Sequence, residues 1–153
     1  MGKLKIYLET TIFNRYFEPE RDNHNDTVRL FEEILEGNFE AFTSAYVIDE
    51  LLAAAEPKSG DMISLVKTYN IKVLGKSEEV QRLAKAYVKF EMLSETHWYD
   101  RLHIACASVN GMDAIVSLNF KHINRFKTKT MTEPINILNG YGGIVICGPM
   151  EVI

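Results

Sequence analysis

Ala114-Ile115-Val116-Ser117-Leu118 has one polar residue in five and lies between Asp113 and Asn119. Side chains along a strand point alternately to its two faces, so a strand this apolar needs both faces covered. That is the environment of a parallel strand held between layers of helices. Working outward, residues 3–8 form another short strand signal, with Leu4, Ile6 and Leu8 alternating with more polar positions. Residues 39–43 and 71–74 supply two more apolar runs, and 135–138 and 144–147 follow late in the chain.

Helical patterns separate these runs. Asp26 is the expected N-cap of a helix reaching about Glu36, with Val28, Phe31, Ile34 and Leu35 as its apolar stripe and Gly37 as its stop. Ser44 is placed to cap a helix through Val47, Leu51 and Leu52 that ends toward Pro57. Residues 62–69 read as a further helix. Ser77 opens the clearest one, where Val80, Leu83, Ala84, Tyr87 and Val88 recur at helical spacing. Another spans 99–109 and stops at Asn110-Gly111, and residues 119–133 are a polar stretch. Strands alternating with helices, without repeat or linker, predict one domain over 1–153. Its expected fold is α/β, a three-layer α/β/α sandwich around a mainly parallel sheet, with the last strand free to run antiparallel.

Composition narrows the function. The chain has 153 residues, 46% hydrophobic and 25% charged, with a formal charge of −4 and a pI near 5.6. That balance argues against a broad basic footprint for nucleic acid, so a polyanionic substrate needs a local basic patch or bound cations. No apolar run reaches the roughly 18 residues of a membrane span. The N-terminal residues carry no secretory pattern, which gives the expectation of a cytoplasmic protein with no membrane partner. Cys106 and Cys147 lie among apolar neighbours and read as buried free thiols. No phosphate-binding glycine loop, nucleophile elbow or zinc-ligand spacing occurs.

In parallel α/β folds, sites form beyond the carboxyl ends of the strands. Glu9 directly follows the first strand and Asn119 directly follows residues 114–118. Glu50 lies in the helix after the second strand, and Asp100 opens the helix before the fourth. Glu9, Glu50 and Asp100 are therefore expected to converge on one edge, with Asn119 completing the set. Oxygen ligands of this kind suit Mg²⁺ or Mn²⁺, which offset carboxylate repulsion and activate water toward a phosphodiester. Each residue also has a structural reading. Asp100 fits a first-turn acid complementing the helix dipole, and Glu50 fits a solvated helix position. Thr10 and Thr11 suit either a bound water or the backbone at a strand end. His103, one turn beyond Asp100, suits a satisfied core position better than a ring stacked over the face of that acid. In Lys121-His122-Ile123-Asn124-Arg125-Phe126-Lys127-Thr128-Lys129, cations interleave with aromatics, as in single-strand nucleic-acid contacts. Lys121, His122 and Arg125 are the candidates there, against the reading of a solvated loop.

Four segments together resemble a known family. Tyr7-Leu8-Glu9-Thr10-Thr11-Ile12-Phe13 resembles the opening strand and loop of PIN domains, and Thr43-Ser44-Ala45-Tyr46-Val47-Ile48-Asp49-Glu50-Leu51 their second block. Tyr99-Asp100-Arg101-Leu102-His103-Ile104-Ala105-Cys106-Ala107 is similar to the third. Asp113-Ala114-Ile115-Val116-Ser117-Leu118-Asn119-Phe120-Lys121-His122-Ile123 is similar to the fourth in a bacterial and archaeal branch, as is Asn139-Gly140-Tyr141 later on. The resemblance implies a PIN fold and a Mg²⁺- or Mn²⁺-dependent ribonuclease acting on RNA. It further implies the toxin of a VapC-type toxin–antitoxin pair, with a cognate antitoxin and a homodimer as partners. Glu9, Glu50, Asp100 and Asn119 match the family's metal and catalytic positions; Thr10, Lys121, His122 and Arg125 are expected substrate contacts on their own chemistry and placement. Two departures stand out: the family usually has aspartate at position 9, and many members have it at 119. The longer Glu9 and the uncharged Asn119 together motivate a second expectation, a weak or inactive PIN domain that binds RNA or protein without cleaving.

Overall fold

The computed structural model describes residues 2–153. The first strand, β1 (Leu4–Leu8), leads into two helices, α1 (Thr10–Tyr16) and α2 (His24–Leu35), and then to β2 (Phe39–Ser44). Helices α3 (Ala45–Leu52) and α4 (Lys58–Thr68) connect β2 to β3 (Lys72–Leu74). Helix α5 (Glu78–Lys89), a 3-10 turn (Glu95–His97) and α6 (Trp98–Val109) lead to β4 (Ala114–Val116). Helix α7 (Phe126–Leu138), β5 (Val145–Cys147) and the short α8 (Pro149–Val152) follow.

Among the described residues the five strands form one sheet in the order β3-β2-β1-β4-β5, and every neighbouring pair is parallel. β5 therefore does not take the antiparallel direction that the sequence left open. Its connection through α7 is a crossover, which returns a strand to the parallel sense. The chain steps from β1 to β2 to β3 on one side of β1, then crosses back to β4 and β5 on the other. Right-handed crossovers put α1–α4 on one face of the sheet and α5–α7 on the opposite face. The result is a three-layer α/β/α sandwich. Ile6, Tyr7 and Leu8 of β1 and Ile115 and Val116 of β4 have no exposed surface, as strands covered on both faces require.

Local sequence explains most element ends. The Ser44 and Ser77 hydroxyls accept from the Val47 and Val80 N–H groups, each capping a helix N-terminus. Gly37 and Gly111 take positive φ after α2 and α6, where a side chain would be strained. Four expectations need correction. Helix α2 starts at His24 with Asn23 in the left-handed region at its N-cap, so Asp26 is a first-turn acid and not the cap. Residues 10–16, which resembled a loop, are helical. Helix α4 begins at Lys58, a turn before residue 62. Residues 135–138 are the end of α7, which occupies much of the polar stretch from 119. Its inward face is polar: Thr128, Thr132 and Asn136 are buried, so no apolar periodicity announces the helix. Cys106 and Cys147 are buried free thiols. No helix among the described residues is long and apolar enough to cross a membrane.

Candidate active site

All five strands point their carboxyl ends to one edge, and the chain reverses its direction of travel between β1 and β4. Ligands bind at such a switch point in open parallel sheets. Glu9 sits there: its N–H donates to Val116 O at 3.1 Å, pinning the end of β1 to the end of β4. Thr43 of β2 donates to Leu8 O at 2.9 Å and secures the other flank. The Glu9 carboxylate is 3% exposed, and its Oε1 accepts from Thr11 Oγ1 at 2.5 Å and from Ser117 Oγ at 2.7 Å. Thr11 Oγ1 accepts in turn from Leu118 N–H, and Ser117 Oγ from Asn119 N–H.

Glu50 reaches the same edge from α3. Its Oε1 meets Thr10 Oγ1 and His103 Nε2, each at 2.5 Å. His103 is fully buried, and its other nitrogen lies 2.8 Å from Tyr7 Oη, which is 2.6 Å from Ser44 Oγ. A polar chain thus runs from the β2–α3 junction through β1 to Glu50. Asp100, in the first turn of α6, receives Asn119 Nδ2 on Oδ1 at 3.1 Å. Asn119 Oδ1 accepts from His122 N–H at 3.1 Å. The amide group of Asn119, and not its oxygen, therefore faces Asp100.

Each of the three acids spends one oxygen on the protein. The other, Oε2 of Glu9 and Glu50 and Oδ2 of Asp100, receives no hydrogen bond from the described residues. Their only ion-pair neighbours among the described residues are histidines: His103 at Glu50, and His97 at 3.9 Å from Asp100. Burial, ahead of all else, raises the pKa of Glu9 and of Asp100, and the Glu50 charge adds to both. Burial acts upward on Glu50 as well, but the hydrogen bond and charge of His103, with Thr10, outweigh it and the pKa falls. Oriented carboxylates, mutually repelling and each with an oxygen to spare, make a donor set that fits a hard divalent cation.

The remaining candidates divide. Thr10 belongs to the acid cluster through Glu50. Lys121 lines a groove of about 570 Å³ beside Asn119, with Asn14, Arg15 and Arg21 from the α1 region on its other wall. The His122 ring stacks on His97, centroids 3.6 Å apart, and burial and the neighbouring His97 lower its pKa. Arg125 donates to Met92 O at 3.2 Å and to Thr128 Oγ1 at 3.1 Å, holding the start of α7 to the segment that follows α5. Sequence reading missed Ser117, His97 and the tie between His103 and Glu50. Ser117 had a signal, as the one polar residue in the 114–118 run, and His97 stands one helical turn before Asp100; the tie between His103 and Glu50 depends on folding alone.

A model of the PIN domain family matches residues 6–127. The chain belongs to the PIN domain family. Among solved structures, this PIN domain is similar to VapC20 of Mycobacterium tuberculosis, described as a toxin that cleaves the sarcin–ricin loop. The TM-score is 0.61 at 14% identity, over 78% of this chain and 93% of that one. It is also similar to VapBC2 of Rickettsia felis, solved with a DNA fragment from its promoter, with a TM-score of 0.58 at 15% identity over 94% and 97%. At such identities the likeness is one of fold. No curated protein matches the PIN chain.

Proposed function

We propose that this PIN domain is a Mg²⁺- or Mn²⁺-dependent endoribonuclease and the toxin half of a toxin–antitoxin pair. The observation that carries it is the acid cluster at the β1/β4 switch point, with one oxygen clamped and one spare on each of Glu9, Glu50 and Asp100. These residues would hold the cation. Such an ion supplies Lewis acidity, acidifying water and offsetting charge that builds on a phosphodiester. Thr11 and Ser117 hold Glu9, and Thr10 and His103 keep Glu50 ionised. Asn119 orients Asp100, and Lys121 and Arg21 offer cations to phosphates along the neighbouring groove. The fold likeness to VapC20, a toxin that cleaves the sarcin–ricin loop, supports RNA as substrate. The likeness to VapBC2 supports a cognate antitoxin as partner. Leu52, on the helix of Glu50 and 61% exposed, suits a homodimer contact.

Asp100→Asn is expected to abolish cleavage of RNA in Mn²⁺ while leaving the circular dichroism spectrum unchanged. Cleavage at the wild-type rate by that variant would sink the reading.

Asn119 favours a second reading, a domain that binds RNA or protein without cutting. Its amide stands where many family members have an acid, and its oxygen is occupied by His122 N–H. RNA binding indifferent to Mn²⁺, with no cleavage product and no heat of Mn²⁺ binding, would favour it.

A further inference from the structure

We propose that His97, Asp100 and His122 form a separate nitrogen-rich site for a transition-metal ion such as Zn²⁺ or Co²⁺, beside the acid cluster. One ligand-capable atom from each lies within 4.8 Å of the other two. Among the described residues this trio closes that tightly, and the trio of Glu9, Glu50 and Asp100 does not. Ligand atoms around a tetrahedral ion with bonds of about 2.1 Å stand about 3.4 Å apart, so binding requires the stacked His97 and His122 rings to turn until their in-plane lone pairs converge.

His97 and Asp100 lie one turn apart across the junction of the 3-10 turn and α6, and the fold brings His122 to them from beyond β4. His97 ends the 3-10 turn, Asp100 opens α6, and His122 follows β4. Asp100 faces two ways: Oδ1 takes the Asn119 amide, whereas Oδ2 points to His97 Nδ1 across 3.9 Å, too far for a hydrogen bond. One residue orients two of the ligands. Asn119 donates to Asp100 with Nδ2 and accepts from the His122 backbone with Oδ1. An ionised aspartate at 119 has no proton to give Asp100, so the departure from the family pattern is what this arrangement requires. Two imidazoles and one carboxylate suit Zn²⁺, Co²⁺ or Ni²⁺ better than Mg²⁺, which prefers oxygen alone. The site is reached from a surface pocket of about 380 Å³ that His97 and His122 line with Ser94 and Lys127. Three protein ligands leave a fourth position open.

The site shares Asp100 with the proposed nuclease centre but stands on its own histidines, so the two readings fail separately. The full chain is loaded with Co²⁺ alone, and the paramagnetically shifted imidazole N–H signals of ligating histidines are recorded by NMR. The signals are expected in the wild type and in Glu50→Gln, and absent from the double variant His97→Ala/His122→Ala. Calorimetry with Zn²⁺ should show a loss of affinity on the order of tenfold or more in each single variant. Circular dichroism checks that the variants fold. Absence of the signals in the wild type, or their persistence in the double variant, overturns the proposal. Failure of RNA cleavage leaves these readouts unaffected and bears on the nuclease reading alone.

Discussion

The surroundings of Glu9 resist a charge on its carboxyl group. Its folded pKa lies above the ordinary carboxyl value, chiefly through burial, so the native state binds this proton more tightly than the unfolded chain. Stability from this group then rises as pH falls through the folded pKa, and ionised Glu9 is a cost at neutral pH. Glu9→Gln keeps an oxygen for Thr11 and Ser117 and removes the charge. The melting temperature of the metal-free variant should exceed that of the wild type at pH 7, and the gap should close on acidification through the Glu9 pKa. Thermal unfolding in chelator across that pH range measures it. Glu50 has the opposite sign: its pKa is lowered in the fold, so its contribution is present at neutral pH and lost as pH falls through that value. Tyr7→Phe tests the polar chain behind Glu50. It leaves His103 Nδ1 without its 2.8 Å partner, and a buried orphan costs about 1–3 kcal/mol, readable in urea unfolding.

At the scale of elements, helix α5 owes its start to one hydroxyl. Ser77→Ala removes the acceptor for Val80 N–H and should cost about 1 kcal/mol. Ser44→Ala should cost more, because the same oxygen caps α3 and meets Tyr7; equal losses in urea unfolding would contradict that. These two caps, and the buried Val80, Leu83, Ala84 and Tyr87 of α5, were legible in the sequence because local pattern and tertiary packing agree there. Helix α7 was illegible for the converse reason. Asn136 donates to Ser108 Oγ and accepts from Tyr87 Oη, so its inner face is satisfied by polar partners that no hydropathy pattern registers. Helix α1 was hidden differently: Glu9 occupies the N-cap position without a side-chain capping bond, and its carboxylate is turned to the sheet edge instead.

For the whole molecule, convergence of Glu9 and Asn119 followed from strand-end topology before any contact was known. The pairings within the cluster did not, since His103 and Glu50 are 53 residues apart and nothing local selects one for the other. Global stability offers the matching test of the cation. A ligand that binds only the native state stabilises it by about 2.7 kcal/mol at a hundred times its Kd. Mn²⁺ should therefore raise the wild-type melting temperature in a concentration-dependent way and raise that of Glu9→Gln much less. An equal rise in both proteins would remove Glu9 from the cation's ligands.

The bond between Glu9 and Ser117 spans 108 residues of chain, and this separation has a bearing on biosynthesis. At about 5–20 residues per second, a ribosome needs about 5–22 s to travel from one to the other. Through that interval the emerging polypeptide carries the β1 carboxylate but lacks the strand that positions it. Glu9 is therefore without its Ser117 partner until the β4 segment has been synthesised and has folded against β1.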